Sequence, residues 1–421
     1  MNKRLLCAFW VATLPFSLFA QSGTNSPYSQ YGIGMLSDQS QGYSRGMNGV
    51  GLGLRKGNIV NTLNPASYSA IDSLTMLFDV AVSAQVTNFK EGNAKINARN
   101  SDFEYAVGSF RLLPNIGMAF GILPLSNVGY QYSANTFLNS TNGSVTETYS
   151  GQGGLHQVFV GAGWRIMEPL SVGVNLSYLW GTTERSIATS GSSSINTLSR
   201  MYSVSVSSYK LDWGLQWTHK LNKEDELVIG ATVGIGHKLN GTPQLINANA
   251  NASDTLEASP LHLPMSYGIG ATWIKNNSLT LAADLKMTNW SSFDTPRYTN
   301  ITNGATIQET TTYKNLYQAN VGVDYVPDAM SPKYLKRVHY KMGAGYSTPY
   351  YNINGKNGPK EFSLSAGFSL PLQNSYNNRS VLNVSAQWVH FSATDMITEN
   401  TFRLNLGLTF NERWFAKWKI D

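Results

Sequence analysis

Residues 402–410, FRLNLGLTF, alternate with a period of two. Phe402, Leu404, Leu406, Leu408 and Phe410 fall on one face, and Arg403, Asn405, Gly407 and Thr409 on the other. Two is the side-chain period of a β-strand. One such strand would fit a soluble sandwich, but here the pattern recurs from residue 75 to the end of the chain. Leu170, Val172, Val174, Leu176, Tyr178 and Trp180 oppose Ser171, Gly173, Asn175 and Ser177. Tyr317, Ala319, Val321, Val323 and Tyr325 oppose Gln318, Asn320, Gly322 and Asp324. An apolar face on every strand needs one common apolar solvent. With small and polar residues on the other faces, that solvent is lipid rather than a protein core. The competing reading, a secreted β-sandwich or propeller, would bury one face against a second sheet or show a blade-length repeat. No such repeat is visible.

The N-terminus opens MNKRLLCAFWVATLPFSLFAQS. Lys3 and Arg4, then an apolar stretch from Leu5 to Phe19, then Ala20 read as a signal peptide over residues 1–20. The only cysteine, Cys7, opens that apolar stretch instead of following it, which argues against lipidation. The mature chain then has no disulfide and no thiolate metal site. No later run is long and apolar enough for a transmembrane helix. Mean hydropathy is -0.21, as expected where only every second strand residue meets lipid. Charged residues make up 13% and aromatics 12%, with 22 tyrosines to supply interfacial belts. The net charge of +6 is spread without a basic run, which excludes a nucleic-acid surface.

Residues 21–73 are rich in Gly, Ser and Asn, alternate poorly, and form one irregular segment. Fourteen strand-like segments then run from 75–88 to 400–410. Their connections alternate between short ones, such as those near Pro114, Glu168 and Asn276, and long polar ones at 89–100, 137–151, 184–200, 240–263, 291–313, 349–360 and 392–399. Short turns on one side and long loops on the other mark a bacterial outer-membrane β-barrel. The expected architecture is all-β, a transmembrane antiparallel barrel of fourteen strands over 74–410 with a plug over 21–73. An aromatic and basic tail follows over 411–421, with both termini in the periplasm. One segment, 102–113, is ambiguous, because Glu104 and Arg111 fall on opposite faces.

The N-terminal segment resembles the hatch of FadL-type outer-membrane transporters of long-chain fatty acids and other hydrophobic compounds. The likeness rests on Gly42, Gly46, Gly49, Gly51 and Gly53, then Asn64-Pro65-Ala66, followed by the first strand. IGMAFGILPLSNVGY at 116–130 is similar to that family's long third strand. The resemblance implies a hatch inside a barrel of this strand count. It also implies uptake of a hydrophobic, fatty-acid-like ligand, and a lateral exit where the third strand is kinked. Pro124 sits in mid-strand, where it removes a ladder hydrogen bond, and is the candidate gate. The bland alternative is a bulge at the membrane interface. SPYSQYGIG and the tail NERWFAKWKID go beyond the transporters and mark a divergent branch. Some FadL-like barrels act instead as docking subunits of secretion or assembly complexes, so that reading stands beside transport.

By strand parity Asp284, Lys286, Asp324, Lys341 and Arg403 face the lumen, either as an ion-pair network or as readers of a ligand head group. The six histidines lack metal spacing, no nucleophile pair marks an enzyme, and no cofactor is called for. GVGLGL lacks the flanks of a nucleotide loop. Implied partners are outer-membrane lipids, a hydrophobic ligand and the barrel-assembly machinery, whose signal resembles the strand ending at Phe410. Loops or the tail, with Trp414, Phe415 and Trp418, could bind other outer-membrane or periplasmic proteins. Asp72-Ser73-Leu74 and Asp254-Thr255-Leu256 resemble an O-glycosylation pattern of some Gram-negative secretory systems.

Overall fold

A computed structural model describes residues 23–138, 143–191, 198–249, 253–300, 306–308, 311–372 and 380–413. The expected leader and the aromatic part of the tail lie outside these residues. The wall strands are β1 (Thr75–Glu91), β2 (Ala94–Leu113), β3 (Ile116–Leu138), β4 (Gly143–Met167) and β5 (Leu170–Gly191). They continue as β6 (Leu198–Lys220), β7 (Asp225–Gly234), β8 (Ser266–Lys275), β9 (Leu279–Thr288) and β10 (Leu316–Tyr325). The last four are β11 (His339–Ser347), β12 (Lys360–Pro371), β13 (Val381–Ser392) and β14 (Thr398–Arg413). Each pairs antiparallel with the next, and β14 returns to β1 from Thr75 opposite Arg413 to Lys90 opposite Thr398. The result is a closed antiparallel barrel of 14 strands, as the alternation predicts.

The opening stretch is the seam. Phe402, Leu406 and Phe410 stand opposite Val86, Val82 and Phe78 of β1. Leu406 is 43% exposed on the outer face, whereas Asn405 beside it is 3% exposed on the inner one. β14 continues through Arg413, past the expected end at Phe410, because β1 starts at Thr75 and offers partners that far.

Three findings revise the sequence reading. The long connections 89–100, 137–151 and 184–200 are largely strand: β2 and β4–β6 extend as ladders beyond the apolar band. Both faces of those extensions are polar, so alternation cannot reveal them. The stretches at 240–263 and 291–313 also carry short strands, with Gln244–Asn249 pairing to β6 and Ser253–Glu257 to Arg297–Asn300. The ambiguity of β2 has a physical cause in its register, which shifts where Ala81 of β1 faces Tyr105 and Val82 faces Phe103. Glu104 is the extra residue of a bulge, so Glu104 and Tyr105 are both buried inside while Phe103 stays outside.

Charge on the lipid face near mid-membrane costs about 2–4 kcal/mol for Arg. Leu406→Arg is therefore expected to lower unfolding free energy by about that amount in urea titrations in vesicles. Thr409→Ser, on the inner face, is expected to change it by under about 1 kcal/mol.

Candidate functional site: the plugged lumen

Residues 23–73 run through the lumen, and most are buried. The segment has little regular structure: Pro27–Gln30 and Pro65–Ala70 form 3-10 turns, Gly42–Arg45 one helical turn, and Met35–Leu36 a short strand. Its hydrogen bonds go to the wall. Ser26 Oγ donates to Glu399 Oε1 of β14 at 2.6 Å, and Asn25 Nδ2 donates to Asn100 Oδ1 of β2 at 2.8 Å. Asn48 Nδ2 donates to Asn320 of β10 and Ser363 of β12, each at 3.0 Å. Tyr68 Oη donates to Asn175 Oδ1 of β5 at 3.0 Å.

Three of the five predicted lumen charges are spent on this segment. Asp284 Oδ2 accepts the Gly51 N–H at 2.7 Å and the Leu52 N–H at 3.0 Å. Asp324 accepts from the Tyr43 hydroxyl and lies 2.9 Å from His339 Nδ1 and 3.5 Å from Lys56 Nζ. Lys341 Nζ donates to the Tyr43 carbonyl at 2.8 Å and stands 3.3 Å from the centre of the Tyr43 ring. Tyr43 is thus held from both sides by opposite charges. Lys286 and Arg403 instead line an open pocket. Arg403 Nε donates to Gln85 Oε1 at 2.9 Å.

The hatch residues also separate by role. Asn64 caps the 3-10 turn by accepting the Ala66 N–H at 3.2 Å. Its Nδ2 donates to the carbonyls of Leu52 at 2.8 Å and Leu215 of β6 at 3.1 Å. Pro65 lies against Gly163, Gly173 and Gly214 of the wall, where any Cβ would collide with the Asn64–Ala66 step. The sequence reading places Gly173 on the inward face but misses that these glycines make room for the plug, although their recurrence at inward positions of consecutive strands is a visible signal. Gly49 has φ +73°, a left-handed turn that glycine takes without steric cost. Gly46 packs on Lys341, and the Gly51 amide is one of the two that Asp284 holds.

Arg45 is a further anchor that sequence reasoning missed. It is buried, with Nη1 2.9 Å from Glu104 Oε2 and 3.2 Å from Asn405 Oδ1, and with Nη2 donating to the Asp38 carbonyl at 3.1 Å. Burial pulls its pKa down, but Glu104 and Asp38 outweigh that and raise it, so the guanidinium stays charged. For Lys56, burial wins over Asp324 and lowers the pKa.

At Pro124 the wall divides. β2 and β3 pair only up to Ala106 opposite Ile122, and the register of β3 against β4 shifts between Pro124 and Ser126. Above that point Met35–Leu36 takes the place of β2, pairing with Asn127 and Ser126. Ser37 N–H donates to the Leu125 carbonyl at 3.0 Å, and Gln39 Nε2 to the Pro124 carbonyl at 2.8 Å. Between the plug and the long-loop end lies a cavity of about 370 Å³. Its lining mixes the charged Asp38, Lys210, Lys286, Glu361 and Arg403 with uncharged polar groups and with apolar side chains including Leu63, Leu125, Leu263, Trp290 and Phe391. Trp290 belongs to an apolar cluster with Ile33, Leu125, Phe293 and Leu316. Among the described residues no group of side chains is suited to hold a metal ion.

An orphaned buried amide costs roughly 1–3 kcal/mol. Asp284→Ala orphans two of them, so hydrogen exchange at Gly51 and Leu52 is expected to accelerate while the β13–β14 amides keep their protection. Glu104→Gln leaves Arg45 without its ion-pair partner; protease nicking between Gly23 and Gly57 is expected to rise without loss of the folded barrel.

Comparison with known proteins adds to this geometry. The model of the BamG family matches residues 1–421. A Pseudomonas aeruginosa FadL homologue superposes with a TM-score of 0.62 at 13% identity, covering 90% of this chain and 99% of that one. The Pseudomonas putida toluene transporter TodX gives 0.62 at 15% identity, covering 91% and 100%. The Ralstonia pickettii toluene transporter TbuX gives 0.61 at 15%, covering 90% and 99%. Comparison with curated proteins gives no match. The likeness to the channels shows a shared fold, that of a FadL-like outer-membrane barrel. The whole-chain match goes further: this chain belongs to the BamG family.

Proposed function

We propose that this barrel is a docking subunit of an outer-membrane secretion or assembly complex, with short turns and termini on the periplasmic side. One observation carries the reading. The plug bonds to wall strands around the lumen, and what remains is a cavity of about 370 Å³ in which Asp38, Lys210, Lys286, Glu361 and Arg403 stand among apolar side chains such as Leu63, Leu125 and Phe391. Passing those five charged groups returns less burial to an apolar solute than a wholly apolar path would. The outer wall supports the same reading. Ala271, Ala283, Ala344, Ala366 and Ala386 form the floor of a lipid-facing recess of about 850 Å³. Trp273, Met342, Trp388 and Phe402 stand around it. Small residues let a neighbouring membrane protein approach the wall closely.

A second reading, uptake of a hydrophobic molecule, is favoured by a different observation. The wall has a break beside Pro124 that the short strand Met35–Leu36 and its neighbours in the plug fill, and solved barrels of this fold include toluene transporters. Release of that strand would open a lateral exit, with Lys286 and Arg403 in reach of a polar head group.

Mild-detergent purification followed by protein and lipid mass spectrometry separates the two. The docking reading expects other outer-membrane proteins in fixed ratio and their loss in Ala283→Trp/Ala344→Trp, with the barrel still folded. A lone barrel carrying a bound hydrophobic molecule, with uptake abolished by a disulfide between Met35→Cys and Asn127→Cys, would overturn it in favour of transport.

A further inference from the structure

The junction between plug and barrel carries a strained, exposed leucine that folding does not explain. Leu74 has φ +58° and is 60% exposed. Among the described residues, the other non-glycine positions with positive φ are Asn48, Asn276, Asn277, Asn354 and Asp395. Asn and Asp tolerate this region through local side-chain hydrogen bonds, and leucine has no such compensation. The bend is clamped on both sides. Asp72 N–H donates to the Gly57 carbonyl at 3.0 Å, and Thr75 Oγ1 donates to the Asp72 carbonyl at 2.9 Å. Ser73 and Leu74 therefore project from a fixed base at the short-turn rim. Ser73 is exposed, and among the described residues nothing engages its hydroxyl.

We propose that Ser73 is an O-glycosylation acceptor, recognised through Asp72-Ser73-Leu74 and presented by the clamped bend. The donor would be a sugar linked to a polyprenyl diphosphate. Ser73 Oγ attacks the anomeric carbon, the C–O bond to Oγ forms and the bond to the diphosphate breaks. The hydroxyl proton passes to a base of the transferase, and polyprenyl diphosphate leaves. The neighbouring Asp72 carboxylate suits this chemistry, because glycosyl transfer builds positive charge at the sugar. The second tripeptide, Asp254-Thr255-Leu256, differs in the residue that matters. Leu256 is 3% exposed and packs with Leu245, Ala258 and Tyr298, so packing accounts for it and leaves it inaccessible to an enzyme.

The test is mass spectrometry of tryptic peptides from the full-length protein isolated from the outer membrane of its own cells. The peptide spanning residues 57–90 is expected to carry hexose-type mass increments. Ser73→Ala, Asp72→Asn and Leu74→Gly are expected to lose them, whereas Ser73→Thr and Thr255→Ala keep them. Leu74→Gly is the informative variant, since glycine accepts the positive φ and the heat-modifiable migration of the barrel should not change. An unmodified 57–90 peptide in the unaltered protein, or increments that survive Ser73→Ala, would overturn the assignment. Increments that survive Leu74→Gly would overturn the role given to the leucine.

Discussion

Hydrocarbon offers no water to a backbone amide, so a strand in a bilayer must find two neighbours or none of it can stay there. Most strands here meet that demand with the next and the previous strand. β1 and β14 meet it with each other, along the whole register from Thr75–Arg413 to Lys90–Thr398. An interruption lies above Ala106–Ile122, where β3 loses β2. Met35–Leu36 and the flanking Ser37 and Gln39 supply the missing bonds. The plug is therefore part of the wall as well as the content of the lumen.

The same demand organises the charges. Residues placed inside a barrel whose lumen is filled lose water as surely as those in a soluble core, and each needs a partner. Asp284 finds two successive amides, Lys341 and Asp324 hold Tyr43 between them, and Arg45 bridges to Glu104 and Asn405. The plug is irregular because its polar groups bond outward to the strands instead of inward to a helix or sheet of its own.

This division explains what could be read from the sequence. Strand count, seam and inward parity follow from lipid on one side, which leaves a period of two at Phe402–Phe410 and in its counterparts. Asp284, Asp324 and Lys341 could be placed inside by parity, but their partners could not, since Gly51, Tyr43 and Asp284 are far apart in sequence. The Glu104 bulge was visible only as a conflict of faces, because one inserted residue reverses parity along the strand. The ladders beyond the membrane were illegible for the opposite reason: water on both faces imposes no period. Wall glycines such as Gly163 and Gly173 looked like ordinary small lumen residues until Pro65 was found against them.

The β1–β14 seam also fixes an order of events. Its two strands are the first and last of the wall, separated by nearly the whole chain, so their pairing closes the longest loop in the molecule. The plug precedes β1, and its anchors reach strands as late as β9, β12 and β14. Those anchoring sites exist only after the late strands have been made, so the plug gains its full set of partners only when the wall is nearly complete. The first segment of the chain is thus the last to gain all its contacts, and the closed wall then holds it.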